Sequence, residues 1–118
     1  MSSTFRDLIV WQKSKALAKK IYSLTKGFPK EEIFGLTSQI RRAATSIPAN
    51  IAEGKGRGTQ KDFCHFLVQA RGSLFEVETF AELASDLGYL PSSDQQELQI
   101  DCDEVGRMLN GLINSTKN

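Results

Sequence analysis

Histidine is nearly absent from this chain: His65 is the only one in 118 residues, and two cysteines and three prolines are among the other scarce types. Each scarcity excludes something. His65 follows Cys64, and neighbours on a helix point about 100° apart, so the two do not converge on one ion. With no second histidine and no Cys-x-x-Cys pair, the ligand count for zinc fails. A His–Cys catalytic pair needs the same convergence and a third orienting group. The carboxylates Glu53, Glu76, Glu78 and Glu82 raise the idea of a di-metal bundle site. That site requires two Glu-x-x-His motifs facing inward, and His65 has only Asp62 three residues before it. No catalytic residue, metal or cofactor is expected, and the chain reads as non-enzymatic.

Cys64 and Cys102 fall inside helical patterns. On antiparallel helices joined near residue 90 their heights differ by roughly 20 Å at 1.5 Å per residue. That separation is far beyond disulfide reach, so free, packed thiols of a reducing compartment are expected. No hydrophobic run approaches the roughly 18 residues that span a bilayer. The start, Met1-Ser2-Ser3-Thr4-Phe5-Arg6-Asp7, has no charged leader followed by an apolar stretch. A soluble, cytoplasmic protein without a membrane partner is expected, and the sequon at Asn114 has no meaning without export. The scarcity of proline leaves long stretches in which helices can run.

What is present fits one globular domain spanning residues 1–118, with 40% hydrophobic and 25% charged residues. Periodicity predicts four helices, at about residues 7–26, 32–52, 60–87 and 93–114. The first carries a seam of Val10, Ser14, Leu17, Ile21 and Leu24, with Thr25 on an adjoining strip. The second has Ile33, Leu36, Ile40, Ala43, Ile47 and Ile51, with Glu31 and Glu32 in its first turn, where the dipole favours acids. Pro48 lies inside it and predicts a bend or break near residues 46–48. Gly54 suits a left-handed C-cap, and Thr59 an N-cap. The third seam runs through Phe63, Phe66, Leu67, Ala70, Leu74, Val77, Ala81 and Ala84. The fourth has Leu98, Cys102, Val105, Leu109 and Leu112, with Ile113 pointing partly elsewhere. Four amphipathic helices joined by short loops predict an all-α, antiparallel, up-down-up-down four-helix bundle.

Net charge is only +1, yet residues 1–61 hold twelve basic and four acidic residues while residues 62–118 hold three and ten. A basic half thus precedes an acidic half. Lys15, Lys19 and Lys26, with Arg41, Arg42, Lys55 and Arg57, form a candidate stripe along the first two helices. One reading is a nucleic-acid surface, where neutralised phosphates release counterions. Another is self-assembly through a heterologous interface that closes into a ring. Trp11, Tyr22, Phe75, Phe80 and Met108 lie off the seams and are the candidates for its apolar contacts. A plainly solvated charge face is the third reading. The run Gly54, Lys55, Gly56, Arg57, Gly58 lacks the spacing of a Walker loop and reads as a cap and connector, with Lys55 and Arg57 as the alternative phosphate contacts.

Three segments carry a resemblance. They are residues 5–13, residues 34–54 with the run Ser46-Ile47-Pro48-Ala49-Asn50-Ile51-Ala52-Glu53-Gly54, and Gly72-Ser73-Leu74-Phe75-Glu76-Val77-Glu78-Thr79. Together they resemble the four-helix bundle proteins encoded in intervening sequences of bacterial large-subunit ribosomal RNA genes. The accessory variability protein of diversity-generating retroelements is a relative of that family. The resemblance covers nearly the whole chain and implies a homopentameric ring of bundles. For the retroelement relative it also implies binding to nucleic acid and to a reverse transcriptase. The expected function is an oligomeric helical module that binds structured RNA or DNA through the basic residues. The alternative is a protein–protein adaptor or scaffold with no nucleic-acid role.

Overall fold

Thr4 caps a short turn near the start of the described residues: its hydroxyl accepts the Arg6 N–H at 3.2 Å while its own N–H donates to the Asp7 carboxylate at 3.0 Å. This capping box satisfies two free amides at the N-terminus of one short 3-10 turn, Phe5–Asp7. Four helices follow, α1 (Ile9–Thr25), α2 (Leu36–Gly56), α3 (Gln60–Asp86) and α4 (Ser92–Thr116). The computed structural model describes residues 4–117, so the leader reading at residues 1–3 lies outside the described residues. Among the described residues there is no strand.

The helices form a bundle 45 × 23 × 22 Å in extent, in which α1 packs on α2 and α4, and α3 packs on the same two. Its core is the set of side chains that the helical period brings inward. Val10, Leu17, Ile21, Ile40, Ile47, Ile51, Leu67, Leu74, Val77, Leu98, Val105, Leu109 and Ile113 are each at most 2% exposed. Burying a side chain of this size contributes about 1.5–3 kcal/mol, which makes this stripe the main source of helix stability. Thr59 caps α3, accepting the Asp62 N–H at 3.1 Å.

Four local expectations are corrected. Residues 32–35 are not α-helical. A 3-10 turn, Lys30–Glu32, follows Pro29, and α2 begins only at Leu36. Glu32 acts on the helix from outside it: its Oε1 accepts the Leu36 N–H at 3.0 Å, and its Oε2 accepts the Tyr89 hydroxyl at 3.0 Å. Ile33, assigned to the core from its spacing, is 50% exposed, and Phe34 beside it is 94% exposed.

Helix α2 also runs unbroken through Pro48. Proline removes the donor for the Ala44 carbonyl, but the neighbouring residues are tied to α3 and to one another. The Ser46 hydroxyl lies 2.9 Å from that of Ser73, and the Asn50 amide donates to Ser46 O at 2.9 Å and Oγ at 3.0 Å. Gly54 is not a cap. It is buried inside α2, where a Cβ would stand 2.6 Å from Phe66 Cβ and 3.2 Å from Phe63 Cδ1. The left-handed glycine of the α2–α3 connection is Gly58, at φ 86°.

Candidate nucleic-acid interface

The basic residues of α1 divide between two flanks. On the α4 side, Lys13 meets Glu104 at 3.3 Å, and Lys20 meets Asp101 at 2.8 Å and Glu97 at 2.9 Å. Asp101 first, then Glu97, hold the Lys20 ammonium above its ordinary pKa. Acids of the second half of the chain thus neutralise these two charges within the bundle.

The α2 side is different. Lys15, Lys19 and Lys26 are exposed and take part in no ion pair among the described residues. With Ala18, Tyr22 and Ser23 of α1 and Thr45 and Pro48 of α2 they line an open groove of about 430 Å³. Its lysines stand four and seven residues apart, close to the helical repeat, and so share one face. Its base is apolar, because Ala18, the Tyr22 ring and Pro48 meet where the helices pack.

Arg41 reaches the same place from α2. Its Nε donates to Thr25 Oγ1 at 2.8 Å, and its guanidinium carbon lies 4.6 Å from the Tyr22 ring centroid. Thr25 is buried and its hydroxyl donates to Ile21 O at 2.7 Å, so the guanidinium rests on a fixed support. At the other end of the groove Lys15 Nζ sits 4.8 Å from the Trp11 ring centroid, a second cation–π contact.

The remaining basic candidates lie elsewhere. Arg42 is exposed and follows Arg41 by one residue, which turns it about 100° away from the groove. Lys55 and Arg57 stand at the α2–α3 connection, about 20 Å along α2 from Arg41. There Lys55 Nζ lies 5.6 Å from the Phe63 ring, and Arg57 lies 5.0 Å from the Phe66 ring and 3.0 Å from Glu53. A smaller cavity of about 270 Å³, lined by Lys55, Gly58, Thr59, Gln60 and Phe63, opens beside them. The stripe is therefore two sites, one with three lysines and Arg41, the other with Lys55 and Arg57.

The off-seam apolar residues separate as well. Tyr22 belongs to the lysine groove. Trp11, Phe80 and Met108 are half-buried and pack on the protein's own core, whereas Phe75 is 56% exposed on α3. Met108 lines an apolar hollow with Leu8, Ile9, Val10, Gly111 and Leu112. The helical pattern put Ile33 in the core and gave Phe34 no role; both are exposed because α2 starts late, at Leu36.

Among the described residues no group of three or more His, Cys, Asp or Glu is placed to hold a metal ion. Both cysteines are free, and burial first, with Glu78 and neighbouring acids second, pushes the Cys102 thiol up to about 12. At neutral pH it is a protonated core side chain. No helix of the described residues is long and apolar enough to cross a membrane.

The sequence profile of the family described as 23S rRNA-intervening sequence protein matches residues 6–111, which takes in both basic sites and all but the last turn of α4. The chain belongs to that family. A solved structure similar to this member of the 23S rRNA-intervening sequence proteins is a protein of unknown function from the S23 ribosomal protein family of Bacteroides thetaiotaomicron. It is 29% identical, has a TM-score of 0.82, and the match covers 89% of this chain and 98% of that one. Among curated proteins none matches.

Proposed function

We propose that this family member is a non-enzymatic, cytoplasmic helical module that binds structured RNA or DNA through the basic face of α1 and α2. The carrying observation is the asymmetry of α1: Lys13 and Lys20 are spent on α4, while Lys15, Lys19 and Lys26 flank an open groove without acidic partners. Unpaired lysines at helical spacing suit the phosphates of a nucleic-acid backbone. The names of the family and of the solved relative, which refer to 23S rRNA and to a ribosomal protein, support RNA as the first ligand to try.

The bundle is read as antiparallel, up-down-up-down, and as the subunit of a homopentameric ring. Lys13 pairs with Glu104 but Lys20 with Glu97, and Arg71 bonds Asn110 while Gln99 bonds Glu78. In both helix pairs one number rises as the other falls, which supports the antiparallel order. The ring rests on the resemblance and on exposed apolar side chains, Phe34, Phe75 and Ile100 foremost. Those side chains also support the adaptor reading, in which the ring docks a protein; recovery of one stoichiometric, nuclease-insensitive partner favours it.

The test is binding of a labelled RNA hairpin and a DNA duplex at about 50 and 200 mM salt, the window in which phosphate contacts show themselves. A steep loss of affinity across that window is expected, and Lys15→Glu with Lys19→Glu should abolish most of it. Binding unchanged by the double reversal removes this surface from the proposal.

A further inference from the structure

The groove between α1 and α2 has a charged rim and an apolar base, and a phosphate backbone alone uses only the rim. A duplex keeps its bases stacked inside and presents phosphates outward. Docked on Lys15, Lys19 and Lys26, it would leave Ala18, Tyr22 and Pro48 uncovered or facing water. A ligand that satisfies both parts carries anions and a flat apolar surface, as an unpaired nucleotide does. The groove's 430 Å³ falls within the roughly 300–1,000 Å³ of ligand pockets.

Tyr22 is built for such a contact. The residue is 44% exposed, yet Arg41 at 4.6 Å from the ring centroid restrains it, and Arg41 is itself held by Thr25 at 2.8 Å. A ring already oriented loses little freedom when a base stacks on it. Arg41 brings a positive charge and a planar group to the same spot, and both suit a stacked base next to its phosphate. Lys15, Lys19 and Lys26 are spread along α1 over about 16 Å, room for several successive phosphates of a single strand.

Resting on the nucleic-acid reading above, we propose that this groove selects unpaired nucleotides, stacking one base on Tyr22 and holding the adjoining phosphates with Lys15, Lys19 and Lys26. The ligand is then a single strand, or the loop or bulge of a structured RNA, rather than continuous duplex. Tyr22 acts here as a ligand contact, in place of the assembly contact that its off-seam position suggests.

The experiment compares a short fluorescein-labelled oligouridine strand with a blunt RNA duplex of the same length. The full chain is tested as wild type, Tyr22→Ala, Tyr22→Phe and Lys15→Glu with Lys19→Glu. The wild type should prefer the strand. Tyr22→Ala should weaken strand binding by roughly ten-fold or more and leave duplex binding unchanged, while Tyr22→Phe, which keeps the ring, should bind the strand like wild type. The lysine double variant should weaken both ligands. If the lysine variant weakens both and Tyr22→Ala weakens neither, or weakens both equally, the stacking proposal fails and the nucleic-acid reading stands. If the wild type binds neither ligand at about 50 mM salt, the nucleic-acid reading itself fails. Sedimentation of Tyr22→Ala guards a third outcome: a loss of oligomer mass makes the groove a seat for a second copy or another protein and overturns the proposal.

Discussion

Glycine illustrates how differently one residue type behaves at two helical positions. Gly54 lies where α2 packs tightly on α3, and the atoms that crowd a Cβ there are Phe66 Cβ, Phe63 Cα and the Phe63 ring. None is the free end of a flexible chain, so Gly54→Ala must push the helices apart. Overpacking of this kind costs about 1–3 kcal/mol, against roughly 1 kcal/mol gained from alanine's helix propensity. Gly72 sits inside α3, exposed, with nothing within 4 Å of its Cβ position. Gly72→Ala should therefore stabilise by about 0.5–1 kcal/mol. Thermal or denaturant unfolding of the two variants should give opposite signs; stabilisation by both would mean that α2 and α3 can slide to make room. At this scale the sequence was a poor guide. Gly54 at the end of a helical pattern reads as a cap, and only the packing partner reveals a close approach.

At the scale of the element, the four helices were legible because each carries an apolar stripe with the helical period. The seams drift in an informative way. In α1 the buried ladder runs Val10, Ser14, Leu17, Ile21 and then Thr25, with Leu24 only partly buried; in α4 it passes through Ile113 to Thr116, with Leu112 partly buried. A heptad assumes 3.5 residues per turn, whereas a straight helix has 3.6, and after a few turns the inward position moves one residue on. The α2 start was not legible, because Glu32 caps it through a contact with Tyr89, 57 residues away. The groove was half legible: spacing puts the lysines on one face, but its base requires the α1–α2 register. Pro48 links these points. Its ring forms part of the groove and its missing N–H leaves the Ala44 carbonyl without a helical donor. Pro48→Ala should raise stability by about 1–2 kcal/mol, the helix gain offset in part by a freer unfolded chain. It should also weaken strand binding by removing groove surface, a trade of function against stability. Calorimetry and the oligouridine titration together check this, and a variant that loses stability would show that Pro48 is fully accommodated by the Ser46–Asn50–Ser73 network.

At the scale of the whole molecule, the near-zero net charge conceals a bundle whose first two helices are basic and last two acidic. Some of that polarity is spent internally, between α1 and α4. What remains on the surface is accompanied by large apolar side chains, with Phe34 94%, Ile100 68% and Phe75 56% exposed. Charges of opposite sign on opposite sides favour head-to-tail contact between copies, and apolar side chains supply its affinity. Two forces of different salt dependence then act together. At about 1 M salt charges are screened beyond roughly 3 Å, while apolar burial persists or strengthens. The protein should therefore sediment at a multiple of its 13.1 kDa chain mass at low salt and dissociate only in part at high salt. Phe34→Ser with Phe75→Ser should lower that mass with little change in the unfolding of the chain itself, since exposed substitutions away from special features shift stability by about 0.5 kcal/mol or less. A species of chain mass at every concentration would end the assembly reading. Complete dissociation at modest salt would instead assign the contact to the charges alone, and the exposed phenylalanines would then belong to a different partner.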